Sequence, residues 1–73
     1  MTGQNAAILR YLRDHGSITP MEALNYLGVM RLSGRILELR QAGYAIRTDT
    51  YTTRNGARVA RYVLEEQLTL GVA

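Results

Sequence analysis

The apolar pattern of this chain changes its period once, near Tyr44. Before that residue, apolar side chains recur at the i, i+3 and i+4 spacing of amphipathic helices, whereas after it they alternate with polar side chains as they do in a strand. A chain of 73 residues has room for one small core. The sequence therefore predicts a single α+β domain in which the helices come first and a small sheet follows.

Two helices are predicted in the first part of the chain. The first spans residues 4–15, with its apolar side chains at helical spacing and a glycine directly after its last residue. The second spans about residues 20–27 and begins with a capping box, because Thr19 stands at the N-cap, Pro20 follows it and Glu22 lies three residues after the cap. The apolar face of the second helix is expected to consist of Ala23, Leu24 and Leu27.

The third helix is predicted to begin at residue 29 or 30 and to end at residue 42. Its core stripe is expected to be Leu32, Ile36 and Leu39, which fall within a narrow arc of the helix. The side chains that point away from the core are expected to be Met30, Gly34, Leu37 and Gln41. Because only a few residues, including a glycine, separate this helix from the second, the two together predict a helix-turn-helix.

A β-hairpin is predicted after the change of period, with strands over residues 45–53 and 57–64. A loop over residues 54–56, with Gly56 in the left-handed conformation, collects the apolar side chains of both strands on one face. This register pairs Ile46 with Leu64, Thr48 with Tyr62, Thr50 with Ala60, Asp49 with Arg61, and Tyr51 with Val59. Residues 17–18 could add a short strand or serve only as a buried anchor.

Positive charge is concentrated in the middle and late part of the chain. All nine basic residues are arginines, and the net charge is +3. Residues 29–64 hold seven of these arginines against Glu38 and Asp49, which gives this stretch a charge of +5. Clustered arginines suit the phosphate backbone of nucleic acids and planar acceptors that take two hydrogen bonds.

The same composition argues against several other classes of protein. The chain has no cysteine and one histidine, His15, so it offers no disulfide, no thiolate nucleophile and no histidine-rich metal site. No recognisable acid–base pair or phosphate-binding loop is present. No apolar window is long enough to span a bilayer, and the N-terminus does not have a signal-peptide pattern. We therefore expect a cytoplasmic binding module that is not an enzyme and has no cofactor, no metal, no membrane contact and no small-molecule substrate.

The chain resembles a known family over residues 5–64. The segment Gly16-Ser17-Ile18-Thr19-Pro20 carries the resemblance, together with residues 22–24, 27–32, 35–36, 39–40, 42–44 and 60–64. The family comprises small winged helix-turn-helix proteins of phages and prophages. The resemblance implies a winged helix-turn-helix domain over residues 4–64, with three helices and a two-stranded hairpin as the wing, followed by a flexible tail over residues 65–73. It also implies binding of nucleic acid, with the third helix in the major groove and the hairpin on the backbone.

The candidate binding residues lie on the third helix and at the tip of the hairpin. Arg31 and Arg35 fall in the N-terminal half of the helix, from which side chains reach base edges, and an arginine can contact guanine at two atoms. Either arginine could instead pair with Glu38 on the same helix. The residues of the hairpin tip are expected to contact phosphates or to enter the minor groove. The residues expected to contact nucleic acid or another partner are Arg31, Ser33, Gly34, Arg35, Leu37, Arg54, Asn55 and Arg58.

Two functions remain open at this point. The first is a small phage-encoded transcription regulator that binds duplex DNA as a monomer or a homodimer. The second is a regulator that binds subunits of the host RNA polymerase in a bacterial cell, and inhibits initiation or alters termination without reading bases. Exposed Met30, Gly34 and Leu37 beside arginines have the composition of a protein interface, which favours the second function.

Overall fold

A computed structural model describes residues 3–65 of the chain. Its first helix, α1 (Gly3–His15), has the predicted extent to within one residue. Ile8, Leu9 and Leu12 are buried, as their spacing predicts. The helices of the described residues include none that is both long and apolar enough to cross a membrane.

The second helix begins as predicted but changes its geometry after one turn. The capping box of α2 (Pro20–Glu22) is complete, because the Glu22 N–H donates to Thr19 Oγ1 at 3.1 Å and the Thr19 N–H donates to Glu22 Oε1 at 2.9 Å. A π-helical turn (Ala23–Leu27) follows, in which the Gly28 N–H donates to the carbonyl five residues before it. This wider turn rotates Leu24 out of the apolar face, and 47% of that residue is exposed. The prediction that Leu24 belongs to the core face is wrong.

The third helix, α3 (Leu32–Gln41), begins two or three residues later than predicted. Gly28 adopts a left-handed conformation with φ of 68°, which the α-carbon of a glycine allows without strain. Val29 then inserts its side chain into the core, so the chain must complete a turn before the helix can start. The predicted core stripe of the helix is confirmed, since all three of its residues are buried: Leu32, Ile36 and Leu39.

Three antiparallel strands form the sheet: β1 (Ser17–Ile18), β2 (Ile46–Thr52) and β3 (Arg58–Leu64), in the order β1-β3-β2. The predicted register of the hairpin is confirmed at every pair, from Ile46 with Leu64 to Tyr51 with Val59. The loop closes with a hydrogen bond from the Thr53 N–H to the Ala57 carbonyl at 2.8 Å, and Gly56 is left-handed with φ of 84°.

The expectation of a two-stranded wing is wrong in one respect, because β1 adds a third strand to the sheet. Ser17 pairs with Val63 and Ile18 pairs with Tyr62. The second edge of β3 would otherwise leave backbone donors and acceptors without partners, and the segment before α2 satisfies them. The short strand, rather than a buried anchor alone, is therefore the correct alternative for residues 17–18.

The core lies between the helices and the base of the hairpin. It consists of Ile8, Leu12, Ile18, Ala23, Val29, Leu32, Ile36, Leu39 and Ile46, with Tyr44, Tyr62 and Leu64 packed against it. Ile46 is the one buried residue of β2, so the rest of the hairpin extends beyond the core. The fold is the predicted α+β arrangement. Of the predicted tail over residues 65–73, all but Glu65 lies outside the described residues.

Candidate nucleic-acid interface

The outer face of α3 carries five of the residues that the sequence singles out. Arg31 stands at the N-cap position of the helix and is exposed. Ser33, two residues further along the chain, is exposed as well. Leu37 is 54% exposed, while Gly34 and Arg35 are partly covered. Met30, just before the helix, is 85% exposed, which makes it one of the most accessible apolar side chains in the described part of the chain.

The tip of the hairpin carries the other three predicted residues. Arg54, Asn55 and Arg58 are all exposed in or directly after the loop between β2 and β3. Their positions follow from the three-residue loop, which turns the chain at the end of the hairpin farthest from the core. The predicted site therefore consists of two separate groups, one on α3 and one at the wing tip.

Ion pairs and hydrogen bonds divide the seven arginines of residues 29–64 into two classes. Four of them bind partners within the protein: Arg35, Arg40, Arg47 and Arg61. Within residues 3–65, no ion pair or hydrogen bond engages the side chains of Arg31, Arg54 or Arg58. Three of the four arginines that the sequence places in the site therefore have no ion pair or hydrogen bond within the described residues.

Asp49 forms ion pairs with two arginines on the outer face of the wing. Arg61 Nη2 lies 3.2 Å from Asp49 Oδ2, and Arg47 Nη1 lies 3.8 Å from the same oxygen. The hydrogen bond from Arg61, together with one from the Thr50 N–H, holds the pKa of the Asp49 carboxyl below its ordinary value. The Arg61 guanidinium also lies over the ring of Tyr51, at 5.4 Å from its centroid. The predicted cross-strand pair of Asp49 with Arg61 is confirmed.

Arg40 joins α3 to β2 through contacts that the sequence does not reveal. Its Nε donates to the Ile46 carbonyl and its Nη2 donates to Thr48 Oγ1, both at 2.8 Å. These bonds fix the base of the hairpin relative to the third helix. Nothing in the sequence distinguishes Arg40 from its neighbours, because the contact depends on how the chain turns after α3.

Arg35 takes the internal partner that the sequence offers as an alternative. Its Nη2 lies 3.4 Å from Glu38 Oε2, whereas Arg31 makes no such pair within the described residues. The other oxygen of this carboxylate accepts a hydrogen bond of 2.9 Å from Asn5 Nδ2. Asn5 is 6% exposed. The sequence contains a signal for the burial of Asn5, because this residue continues the helical stripe of Ile8, Leu9 and Leu12 and is the polar member of that stripe.

An open hollow of about 240 Å³ brings residues of α1 and α3 together. Its walls are formed by Gln4, Gly28, Met30, Arg31 and Arg35. The two arginines thus face one concave surface at the start of α3, beside the first turn of α1. Gln4 belongs to this surface although the sequence gives no reason to select it. Within residues 3–65, no cluster of three or more His, Cys, Asp and Glu residues is arranged to hold a metal ion.

A family model described as a winged helix-turn-helix domain matches residues 3–67. No curated protein and no solved structure matches the chain.

Proposed function

The chain belongs to the winged helix-turn-helix domain family, and from this premise we propose that it is a small transcription regulator that acts by binding duplex DNA. The observation that carries the proposal is the distribution of unpaired arginines. Arg31 on α3 and Arg54 and Arg58 at the wing tip have no carboxylate partner in the part of the chain that the structure describes. Such guanidinium groups are available to phosphates and to base edges.

The two groups of residues have different roles in this proposal. The exposed face of α3 enters the major groove, which is about 12 Å wide and admits a helix. There Arg31, Arg35 and Ser33 face base edges or the adjoining phosphates. Arg54, Asn55 and Arg58 contact the backbone or the minor groove beside it, and so fix the position of the domain without reading sequence.

The wider setting is also part of the proposal. The resemblance to small phage and prophage proteins supports a phage-encoded regulator that works in the cytoplasm of a bacterial cell and has no catalytic activity. One domain of this size covers a short DNA site, so high specificity needs a homodimer or a second protein on the same DNA.

Titration against duplex DNA at several salt concentrations tests this function. Each phosphate contact releases counterions, so the logarithm of the binding constant should fall with the logarithm of the salt concentration by roughly 0.9 for each contact. A selected duplex, enriched from a randomised pool, should bind more tightly than a random duplex. Failure to bind either duplex at low salt, or binding that salt leaves unchanged, would contradict the proposal.

A second candidate function is supported by exposed apolar side chains. Met30 and Leu37, which are 85% and 54% exposed, flank the arginines of α3, and methionine and arginine are enriched in protein interfaces. In this alternative the same face docks on host RNA polymerase subunits and changes initiation or termination. Capture from host lysate treated with nuclease tests it. Recovery of polymerase by the native chain but not by a Leu37→Ser variant would support the alternative, and recovery by neither would remove it.

A further inference from the structure

A chain of polar contacts crosses from the first helix to the third. It starts at Asn5, which is 6% exposed, and its Nδ2 donates to Glu38 Oε1 at 2.9 Å across 33 residues of sequence. It continues from Glu38 Oε2 to Arg35 Nη2 at 3.4 Å. The buried amide therefore holds the carboxylate, and the carboxylate holds the guanidinium of Arg35, a residue that lines the hollow at the start of α3.

This arrangement orients Arg35 without using up its hydrogen-bonding capacity. The guanidinium has five N–H donors, and the contact with Glu38 involves one of its three nitrogens. Its remaining donors are free to take a planar acceptor such as a guanine edge. Because the side chain of Arg35 is already held, with 29% of it exposed, less conformational freedom is lost when a partner binds.

Glu38 also places a negative charge beside a surface that has to approach phosphates. Its side chain is 42% exposed, so the carboxylate repels any polyanion that comes near. Repulsion of this kind weakens binding to every duplex alike. A penalty that is equal for all duplexes leaves the ratio of their affinities unchanged, so the preference for one duplex has to come from Arg35, which Glu38 holds in place for the acceptor that the matching duplex offers.

We propose that Glu38 is a specificity-determining residue of the DNA-binding surface and that Asn5 is a positioning residue, which acts on Arg35 through Glu38. This inference rests on the proposed function of DNA binding. It assigns the N-terminal helix a part in selecting the sequence, although Asn5 itself is buried and does not face a ligand.

Two substitutions separate the charge of the carboxylate from its placement. Glu38→Gln removes the charge, so affinity for a random duplex should rise about two- to five-fold, and the preference for a selected duplex should fall by a similar factor. Asn5→Ala keeps every charge but frees the carboxylate. Its affinity for the random duplex should stay unchanged, while its preference for the selected duplex falls. Asn25→Ala, which alters an exposed asparagine in the π-helical turn, is the matched control and should change neither quantity.

A measurement without DNA shows whether Asn5 acts on Arg35 or only on stability. The ¹⁵N relaxation of the Arg35 Nε–Hε group should report greater mobility in Glu38→Gln and in Asn5→Ala than in the native chain. If Asn5→Ala does not fold, Asn5→Ser retains a short donor at the same position and should give an intermediate mobility. A lower melting temperature with unchanged Arg35 mobility would mean a structural role alone and would overturn the inference.

The outcomes also distinguish this inference from the function on which it rests. If the native chain prefers the selected duplex and both variants keep that preference, the inference is wrong and the proposed function stands. If the native chain binds neither duplex, the proposed function is wrong and the inference falls with it. Loss of preference in both variants, with increased Arg35 mobility, supports the inference.

Discussion

Gly34 lies in the middle of α3, where a glycine lowers helix stability by about 1 kcal/mol relative to alanine. Its φ is not positive, so its backbone does not require a glycine. Apart from the neighbouring residues and the backbone of the helix itself, a Cβ added at this position would meet no atom within 4 Å. Nothing in the fold of residues 3–65 therefore explains why a glycine stands there. Under the proposed binding of DNA, the missing side chain lets the duplex approach this face of the helix closely.

Gly34→Ala should stabilise the protein and weaken its binding. The free energy of unfolding should rise by about 1 kcal/mol, since alanine loses less backbone entropy in a helix. Affinity for duplex DNA should fall, because the added methyl keeps the partner from the helix surface. Thermal melting and duplex titration measure the two effects. A higher free energy of unfolding with unchanged DNA affinity would show that the duplex does not approach α3 at this residue.

Asp49 should make the stability of the protein depend on pH in acid. Because the pKa of its carboxyl is lower in the folded than in the unfolded chain, its contribution is present above the unfolded pKa and is lost as pH falls through the folded pKa. Asp49→Asn should therefore lower the melting temperature at neutral pH, and the difference from the native chain should close in acid. Asp14→Asn, at an exposed carboxylate of α1, is the control. A difference in melting temperature between the two proteins that stays constant with pH would contradict this role of Asp49.

At the scale of the elements, the free edge of β2 is protected by side chains. The hydrogen bond from the Glu65 N–H to the Ala45 carbonyl sets the alternation of the ladder, so the N–H and C=O groups of Ile46 and Thr50 point away from β3. The Arg40 Nε–H donates a hydrogen bond to the Ile46 carbonyl, and the Asp49 carboxylate accepts one from the Thr50 N–H at 2.9 Å. An edge occupied in this way is a poor template for another strand.

Arg40→Ala should loosen the hairpin at its base and expose the edge of β2. Loss of two hydrogen bonds from a charged group should lower the free energy of unfolding by about 1–3 kcal/mol. Amide hydrogen exchange should accelerate in β2, and light scattering should show a greater tendency to associate. Arg10→Ala, which removes an exposed arginine from α1, should change none of these quantities. Equal exchange rates in the two variants would rule out a clamping role for Arg40.

The local elements could be predicted from the sequence because their causes are local. The register of the hairpin follows from alternation on both sides of Gly56, and the start of α2 follows from Thr19 and Glu22, three residues apart. The strand β1 could not be predicted with certainty, because two residues become a strand only when β3 lies beside them. Leu24 was misplaced because a π-helical turn changes the period on which the prediction rests.

The candidate site was predictable in part for the same reason. Exposed positions such as Arg31 and Arg54 follow from helical spacing and from the loop. The partners of the remaining arginines depend on tertiary contacts, as the bonds from Arg40 to β2 illustrate. Asn5 and Glu38 lie 33 residues apart, and no periodicity within either helix brings them together.

At the scale of the whole molecule, charge alone does not decide which arginines matter. Arg54 and Arg47 both lie on the wing, but Arg47 Nε is 2.7 Å from Glu65 Oε2, whereas no carboxylate within the described residues pairs with Arg54. Removing either one changes the net charge by the same amount. A difference between the two variants would therefore report on availability rather than on total charge.

Arg54→Ala should weaken binding to all duplexes about equally and reduce the salt dependence by roughly one unit of slope. Arg47→Ala, the matched control, should have a smaller effect on both. Arg35→Ala should instead reduce the preference for a selected duplex over a random one. Titrations of the three variants at several salt concentrations measure these effects. Equal and small effects from Arg35→Ala and Arg54→Ala would count against reading of bases by α3.

The pairing of β1 with β3 also has a consequence for biosynthesis. Ser17 and Ile18 leave the ribosome early, but their partners Val63 and Tyr62 are translated near the end of the domain. The helices can begin to form on the nascent chain, while closure of the sheet has to wait until the last strand has emerged. We expect the domain to reach its native state only after β3 has left the ribosome, in a single step that pairs this strand with β1.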